Sequence, residues 1–338
     1  MIAKANESIK GLVNAKGVSG NQAGVALITV LFVFAIASVL AISIATASFY
    51  STRLTGNHLD RTQLHNYLSA GEALAEVLLK DDWAHDKEAN EFIDFAEEDW
   101  GKQLHSFSYS EGQVSLKIND LQGRFNLNSV VKNGKKNDIG YDRFRLLLSG
   151  LNIDVTIANK LLDWIDDNQS STGSGAEDIV YLGVEAPYRT GDWRMLSVSE
   201  LRLLEGLDVD DYLKLLPHVS VLSSDQGINV NTASAEVLRS LSSKLSAAAS
   251  EQLVETLKRS PIKSPDDLKK LDELFGIEIK TNGLSAFSEY YEVAIEATYL
   301  GKNKRMLSIV QRSQDDGSVR VEARNFGIPF KSKKYTDK

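Results

Sequence analysis

The chain contains no cysteine. That excludes a disulfide framework, a thiolate metal site and a cysteine nucleophile, so any staple in the fold must use other chemistry, an oxygen-ligated cation being the natural choice. A dense block of lysine and arginine is also missing, and the formal net charge is -8 over 338 residues. Phosphate-backbone binding needs clustered cations, so nucleic acid is not an expected partner. Catalytic signatures are absent as well. There is no G-x-S-x-G, H-E-x-x-H or glycine-rich phosphate loop, and His58, His65, His85, His105 and His218 occur in no arrangement that joins a base to a nucleophile. What remains is an ordinary globular composition, 43% hydrophobic and 25% charged, in a chain long enough for an anchor and one large or two smaller lobes.

One further absence is local. No charged residue occurs between Lys16 and Arg53, and residues 25–50 read VALITVLFVFAIASVLAISIATASFY. A helix of that length, rising about 1.5 Å per residue, crosses a hydrocarbon core about 30 Å thick. Lys4, Lys10 and Lys16 precede it, which by the positive-inside tendency leaves the N-terminus cytoplasmic and sends the rest outward, into the periplasm of a bacterium. Three processing readings stand. Ala45-Thr46-Ala47 is an A-x-A pattern whose cleavage would release a soluble protein. A plain signal anchor, with no role for Gly24, is the second. The third is that Gly24, between a polar leader and the apolar run, resembles the prepilin-peptidase signal of type IV pilins and pseudopilins. Cleavage after that glycine would make Val25 the new N-terminus and keep the hydrophobic segment. Most pilin-like subunits carry glutamate at the fifth position after this glycine, where this chain has Thr29. The resemblance implies that the missing carboxylate neutralises a neighbour's buried amino terminus, and that the subunit able to do without it is the K-type pseudopilin at a filament tip.

Beyond the apolar run, leucines and Tyr67 recur at three-to-five-residue spacing from Leu54 to Leu79, which predicts an amphipathic stem helix over residues 51–80. Ser106 to Ser110 and Val114 to Ile118 alternate around Glu111-Gly112 as a β-hairpin. Helical patterns then dominate, and strands return at residues 289–299, 305–312 and 319–325. The first hairpin alone would be marginally stable. The economical fold class is α+β, with a long N-terminal helix packed on an antiparallel sheet that a large, mainly helical insertion interrupts. The expected divisions are a leader (1–24), a transmembrane helix (25–50), the stem, a β domain (81–125 and 286–330), the insertion (126–285) and a frayed tail (331–338). Inside the insertion, FNLNSV at 125–130 matches INVNTA at 228–233, each followed by leucine-rich helices, so Asn128 and Asn231 are expected as helix N-caps. The N-V-N-T-A-S run also resembles helix-hairpin-helix DNA-binding proteins, without their Gly-Ile-Gly hairpin or basic surroundings.

The strongest chemical signal is DWIDDNQSSTGSGAEDIVY, residues 163–181, with five carboxylates around a serine-, threonine- and glycine-rich loop. With Asp166 as position one, Asn168 is third, Ser170 fifth, Thr172 seventh, Ser174 ninth and Glu177 twelfth, a spacing like that of a calcium-binding EF-hand loop but with Ser171 where glycine is needed. A hard divalent cation takes six to eight oxygens and relieves the repulsion of clustered carboxylates. A solvated acidic loop capping a helix is the alternative.

Taken in order, the anchor, YLSAGEALAEVLL, FNLNSV, LLDWIDDN, GAEDIVY, APYR, MLSVSELRLLEGL and INVNTAS resemble the K-type minor pseudopilins of type II secretion, known as GspK or XcpX. The resemblance implies a type IV pilin-like fold and a non-enzymatic subunit that caps a periplasmic pseudopilus with I and J pseudopilins above the major pseudopilin filament. It implies processing by prepilin peptidase, a single-pass position in the inner membrane, a role in exporting folded proteins, and one or two calcium ions. Carried onto this chain, the calcium ligands are Asp166, Asn168, Glu177 and Asp178, with Thr172 added by the loop spacing and Asp163 and Asp167 as candidates for a second ion. Asn168 departs from the usual aspartate, keeping an oxygen and losing a charge. A tip subunit of a type IV pilus and an anchored periplasmic hydrolase using the acidic loop remain as other readings.

Overall fold

The computed structural model describes residues 22–102, 104–109, 111–223, 225–268 and 279–327. The leader through residue 21 and the tail over 331–338 lie outside them. Contacts divide the chain into two compact units, residues 1–62 and 63–338. Helix α1 (Gln22–Ala89) runs continuously for 68 residues. In the first unit, residues 25–50 of α1 are almost wholly exposed, and α1 is long and apolar enough to cross a membrane. The hydroxyls of Ser38, Ser43 and Thr46 donate to the carbonyls of Phe34, Val39 and Ile42, each at 2.8 Å. Such back-bonding satisfies within the helix polar atoms that hydrocarbon would leave unpaired.

In the second unit α1 buries Leu64, Leu68, Ala75 and Leu79, spaced so that they fall on one face. Between them is Gly71, where a Cβ would sit 2.8 Å from Ile295 Cγ2, so the close approach of helix and sheet requires glycine there. The helix does not stop near Lys80. Trp83 and Asp86 continue its buried side, and it ends at Asn90, whose φ of 53° is the left-handed conformation typical of a helix C-terminus.

The sheet has five strands: β1 (His105–Tyr109), β2 (Gly112–Asp120), β3 (Tyr290–Tyr299), β4 (Lys302–Arg312) and β5 (Val319–Asn325). They lie in chain order and every neighbouring pair is antiparallel. Alternation along β2, β3 and β4 sends Val114, Leu116, Ile118, Tyr291, Val293, Ile295, Ala297, Met306 and Val310 into one core with the buried face of α1. Truncating one of the fully buried residues to alanine should cost about 2–5 kcal/mol.

Two buried positions on β4 are polar. Ser308 Oγ donates to Glu72 at 2.5 Å, and Arg324 of β5 grips the same carboxylate at 2.7 Å. Arg312, wholly buried, reaches Asp82 of α1 and Asp94, each at 2.6 Å. In a chain without disulfides, these ion pairs fix the sliding and rotation of α1 on the sheet.

Between Asp120 and Tyr290 the chain builds the helical insertion, with α2 (Asp138–Gly150), α3 (Ile157–Ile165), α4 (Asp178–Tyr181), α5 (Val209–Leu215), α6 (Ala235–Arg239) and α7 (Ala247–Arg259) around a second hydrophobic core. The sequence repeat has a structural counterpart. Phe125–Asn126 opens the first copy and pairs in parallel with Val219–Ser220 at its end. Ile228–Asn229 opens the second and pairs in parallel with Leu284–Ser285.

The expected N-cap roles are corrected. Asn126 caps the short 3-10 turn over Leu127–Val130, and Ser234 caps α6. Asn128 and Asn231 instead clamp distant backbone. Asn128 accepts from Met195 N–H at 2.8 Å and donates to the carbonyls of Met195 and Leu222 at 3.0 and 2.9 Å. Asn231 accepts from Ile262 N–H and donates to its carbonyl, both at 3.0 Å. A primary amide offers a donor pair and an acceptor, which suits one side chain to pinning a buried loop that has no strand partner. That requirement outweighed the capping preference read from sequence.

Candidate metal centre

Helix α3 is strongly amphipathic in pattern and turns Ile157, Ala158, Leu161, Leu162, Trp164 and Ile165 into the insertion core, with Asp163 buried among them. Asp163 does not stand free. Its carboxylate accepts the Thr172 N–H, 3.1 Å from each oxygen, and the loop closes over it so tightly that a Cβ on Gly175 would lie 1.9 Å from Oδ2. Burial pushes its pKa up, against hydrogen bonds from Thr172 and Ala176 that stabilise the anion.

Helix α3 ends at Asp166, whose extended backbone starts two successive side-chain turns. Asp166 Oδ1 accepts from Asn168 N–H at 3.3 Å, and Asn168 Oδ1 accepts from Ser170 N–H at 2.8 Å. Glu177, just before α4, makes no capping bond. Both of its carboxylate oxygens are buried without a hydrogen-bond partner. Burial first, and then the charges of Asp163, Asp166, Asp192 and Asp178, push the Glu177 pKa up to about 7. An orphaned carboxylate surrounded by carboxylates is chemically incomplete, because buried polar groups are almost always satisfied.

Asp178, expected as a ligand, is already engaged. Its Oδ1 accepts from Thr190 N–H at 3.0 Å and Thr190 Oγ1 at 2.9 Å, and its Oδ2 accepts from Arg189 at 2.8 Å. Burial opposes ionisation, but these bonds outweigh it and hold the pKa below the usual carboxylate range. Thr172 contributes its backbone N–H, and hydrogen-bonds through its side chain, to Asp163. Asp167 is exposed. Sequence spacing missed Asp192, which acts on Glu177 electrostatically from the far side of the 182–191 segment. It accepts from Thr190 Oγ1 at 2.6 Å and from Gln169 at 3.3 Å, with its backbone in the left-handed region at φ 44°. Nothing in the spacing ties Asp192 to the acidic loop.

Glu177 thus feels the charges of Asp163, Asp166, Asp192 and Asp178. Among the described residues, the one set of three carboxylates with ligand atoms within 4.8 Å of one another lies elsewhere, at Asp82, Asp94 and Glu98. That set is internally compensated. Arg312 binds Asp82 and Asp94, while Glu98 accepts from Phe95 N–H at 3.1 Å and Trp100 Nε1–H at 2.8 Å.

At the other end of the chain, helix α1 already includes Gly24 and Val25. Thr29 Oγ1 donates to the carbonyls of Val25 at 3.1 Å and Ala26 at 2.9 Å. The residue in the glutamate position thus brings neither a charge nor an unpaired donor to the outside of its helix.

A long apolar N-terminal helix whose later part packs on an antiparallel sheet, with a helical insertion between the second and third strands, defines a pilin-like α+β subunit. Residues 123–226 and 228–288 match two family models, both described as type II secretion system (T2SS), protein K. The chain is 35% identical over 314 residues to type II secretion system protein K of Pseudomonas aeruginosa, covering 90% of this chain and 93% of that protein. The protein of the same name from Aeromonas hydrophila is 28% identical over 327 residues, covering 90% and 98%. A chain in the crystal structure of the GspK-GspI-GspJ complex from the enterotoxigenic Escherichia coli type 2 secretion system superposes with a TM-score of 0.65 at 22% identity, covering 81% of this chain and 99% of that one. This chain belongs to the type II secretion system protein K family.

Proposed function

We propose that this chain is the minor pseudopilin K of a type II secretion pseudopilus, anchored in the inner membrane by residues 25–50 with its folded head in the periplasm. In this reading it caps the filament together with I and J pseudopilins, on top of the major pseudopilin, and serves the export of folded proteins across the outer membrane. The solved GspK-GspI-GspJ complex supports the choice of partners. The observation that carries the reading is the exposed, charge-free helical segment, with its polar atoms turned inward, in a chain related to protein K over 90% of its length. Prepilin peptidase would cut after Gly24, freeing Val25. Thr29, already satisfied within its own turn, would let the subunit sit at the end of the filament without a charged neighbour to neutralise, since an unpaired charge in hydrocarbon costs several kcal/mol.

Calcium fits the acidic centre because Glu177 offers two buried oxygens that nothing in the protein satisfies. The proposed ligands are Asp166, Asn168, Thr172, Glu177 and Asp178, with Asp163 and Asp192 adding negative charge around Glu177. When bound, the ion supplies the positive charge that this carboxylate group lacks and orders residues 166–178. The role is structural, and no catalytic step is assigned to these carboxylates.

The test is mass spectrometry of the mature N-terminus in cells with and without prepilin peptidase, together with co-purification of I and J pseudopilins. Val25 at the terminus only when the peptidase is present, with both partners retained, is the expected result. A product trimmed after Ala47, free in the periplasm and bound to neither partner, would overturn the proposal.

A further inference from the structure

A second feature lies at the seam between the two insertion copies and uses none of the acidic-centre residues. A cavity of about 290 Å³ is lined from the first copy by Lys132, Asn137, Gly140 and Arg143, from the linker by Asp225 and Gln226, and from the end of the second copy by Asn282 and Gly283. Arg143 is 95% buried, 5% of its surface remaining exposed. Among the described residues it meets no carboxylate. Its guanidinium donates only to the carbonyls of Lys280 at 2.6 Å and Gly283 at 3.5 Å. A buried cation is normally paired with an anion, and carbonyl dipoles leave its charge uncompensated. Burial alone lowers its pKa to about 10.

The other groups at the cavity favour the same sign of ligand. Asn137, at the N-cap position of α2, donates its amide N–H to the Ser129 carbonyl at 2.8 Å, and its side chain makes no cap to the first turn, which carries Asp138. Such a turn presents free backbone donors and the positive end of the helix dipole. Lys132 also faces the cavity, and Asp225, the one carboxylate lining it among the described residues, is held by Lys132 at 3.0 Å. Two cations against one anion leave the lining with a net charge of +1.

We propose that this seam cavity is an oxyanion site, in which Arg143, Lys132 and the open first turn of α2 take one small phosphate or carboxylate group. Filling it would tie α2 of the first copy to residues 280–283 of the second through a shared anion. The planar guanidinium fork suits either oxyanion geometry.

The test uses the full-length chain in detergent micelles. Its thermal unfolding is followed while inorganic phosphate, or in a parallel arm acetate, replaces chloride at constant ionic strength. At roughly ten times Kd the melting temperature should have risen by about 3–5 °C, and it should keep rising with the logarithm of anion concentration. Arg143→Gln should abolish that rise, and Arg143→Lys should retain part of it. Lys132→Gln, a surface change that leaves the fold intact, should weaken the response and provides the readout if the Arg143 variants do not fold. A response to phosphate alone, or to acetate alone, supports the site and identifies the oxyanion. No rise with either anion, or a rise that Lys132→Gln and the Arg143 variants leave unchanged, overturns it.

Discussion

Two groups of carboxylates occupy this head, and they are built in opposite ways. Around Arg312, the buried or half-buried Asp82, Asp86, Asp94 and Glu98 find their partners inside the chain. Glu177 is raised by the charges of Asp163, Asp166, Asp192 and Asp178, Arg189 binds Asp178, and both Glu177 oxygens have no hydrogen-bond partner among the described residues. The first group is a joint the sequence completes by itself, locking the end of α1 to β4. Under the calcium proposal, the second is completed by a cation supplied from outside. Nearly the same residue types thus serve a fixed fastening in one place and a proposed ligand-dependent one in the other.

The sharpest way to break this contrast is to remove the internal cation. Arg312→Met should destabilise the full-length chain by about 3–5 kcal/mol in chemical denaturation, because it strands Asp82 and Asp94 in the interior. Calcium should not rescue it. Recovery of stability on adding calcium would mean that the two groups are interchangeable.

Next in size is removal of the external one. Under the calcium proposal, EDTA should lower the stability of the wild-type chain by about 2–4 kcal/mol relative to saturating calcium. Glu177→Gln should lose most of that difference. In EDTA it should be the more stable protein, since the amide removes a buried charge facing three others. A variant that is weaker than wild type with and without calcium would assign Glu177 a plain packing role.

The amide clamps come third. Asn128→Ala and Asn231→Ala should each cost about 1–3 kcal/mol by leaving backbone groups unpaired. Because Asn128 holds Met195, three residues beyond Asp192, its loss should also weaken the calcium response. Asn231→Ala should not. Equal effects on calcium binding would argue that the two copies are mechanically coupled.

The smallest effect, at most about 1.4 kcal/mol per pH unit for each group, is the pH slope. Burial is the main reason that Glu98 is pushed up to about 9, Asp86 to about 7, Asp82 to about 6 and Glu177 to about 7. A carboxyl raised in the folded state gives its full stabilisation below the ordinary carboxylate pKa and loses it as pH rises through the folded value. Stability in EDTA should therefore fall between about pH 5 and pH 9. Calcium should flatten the part near pH 7 that belongs to Glu177 and leave the alkaline part, set by Glu98, in place.

Much of this architecture was legible in the chain. The strands read as alternation because one face of the sheet is buried, and the apolar run of the N-terminal helix was legible because nothing charged interrupts it. The stem outran its pattern because over residues 81–89 a single large apolar residue, Trp83, carries the buried side and Asp86 does the rest. The acidic loop was visible, but its centre was not. Local spacing gave the order of carboxylates, but not that both Glu177 oxygens are buried without a partner among the described residues, nor that Asp192 acts on Glu177 from outside the loop. The Arg312 joint links partners 218 residues apart, Arg312 and Asp94, and no window of sequence reports a contact of that separation.

The short parallel pairings at the start and finish of each insertion copy have a topological consequence. Each copy delivers its outgoing chain beside its incoming one, so the whole excursion from Asp120 to Tyr290 begins and ends at neighbouring rungs, Asp120 standing opposite Tyr291. To the β2–β3 pair, roughly half of the protein is equivalent to a tight bend. A lobe attached in this manner can be enlarged, duplicated or excised without shifting the register of the strands that carry it, which leaves the supporting sheet free to keep one geometry while its cargo of helices changes.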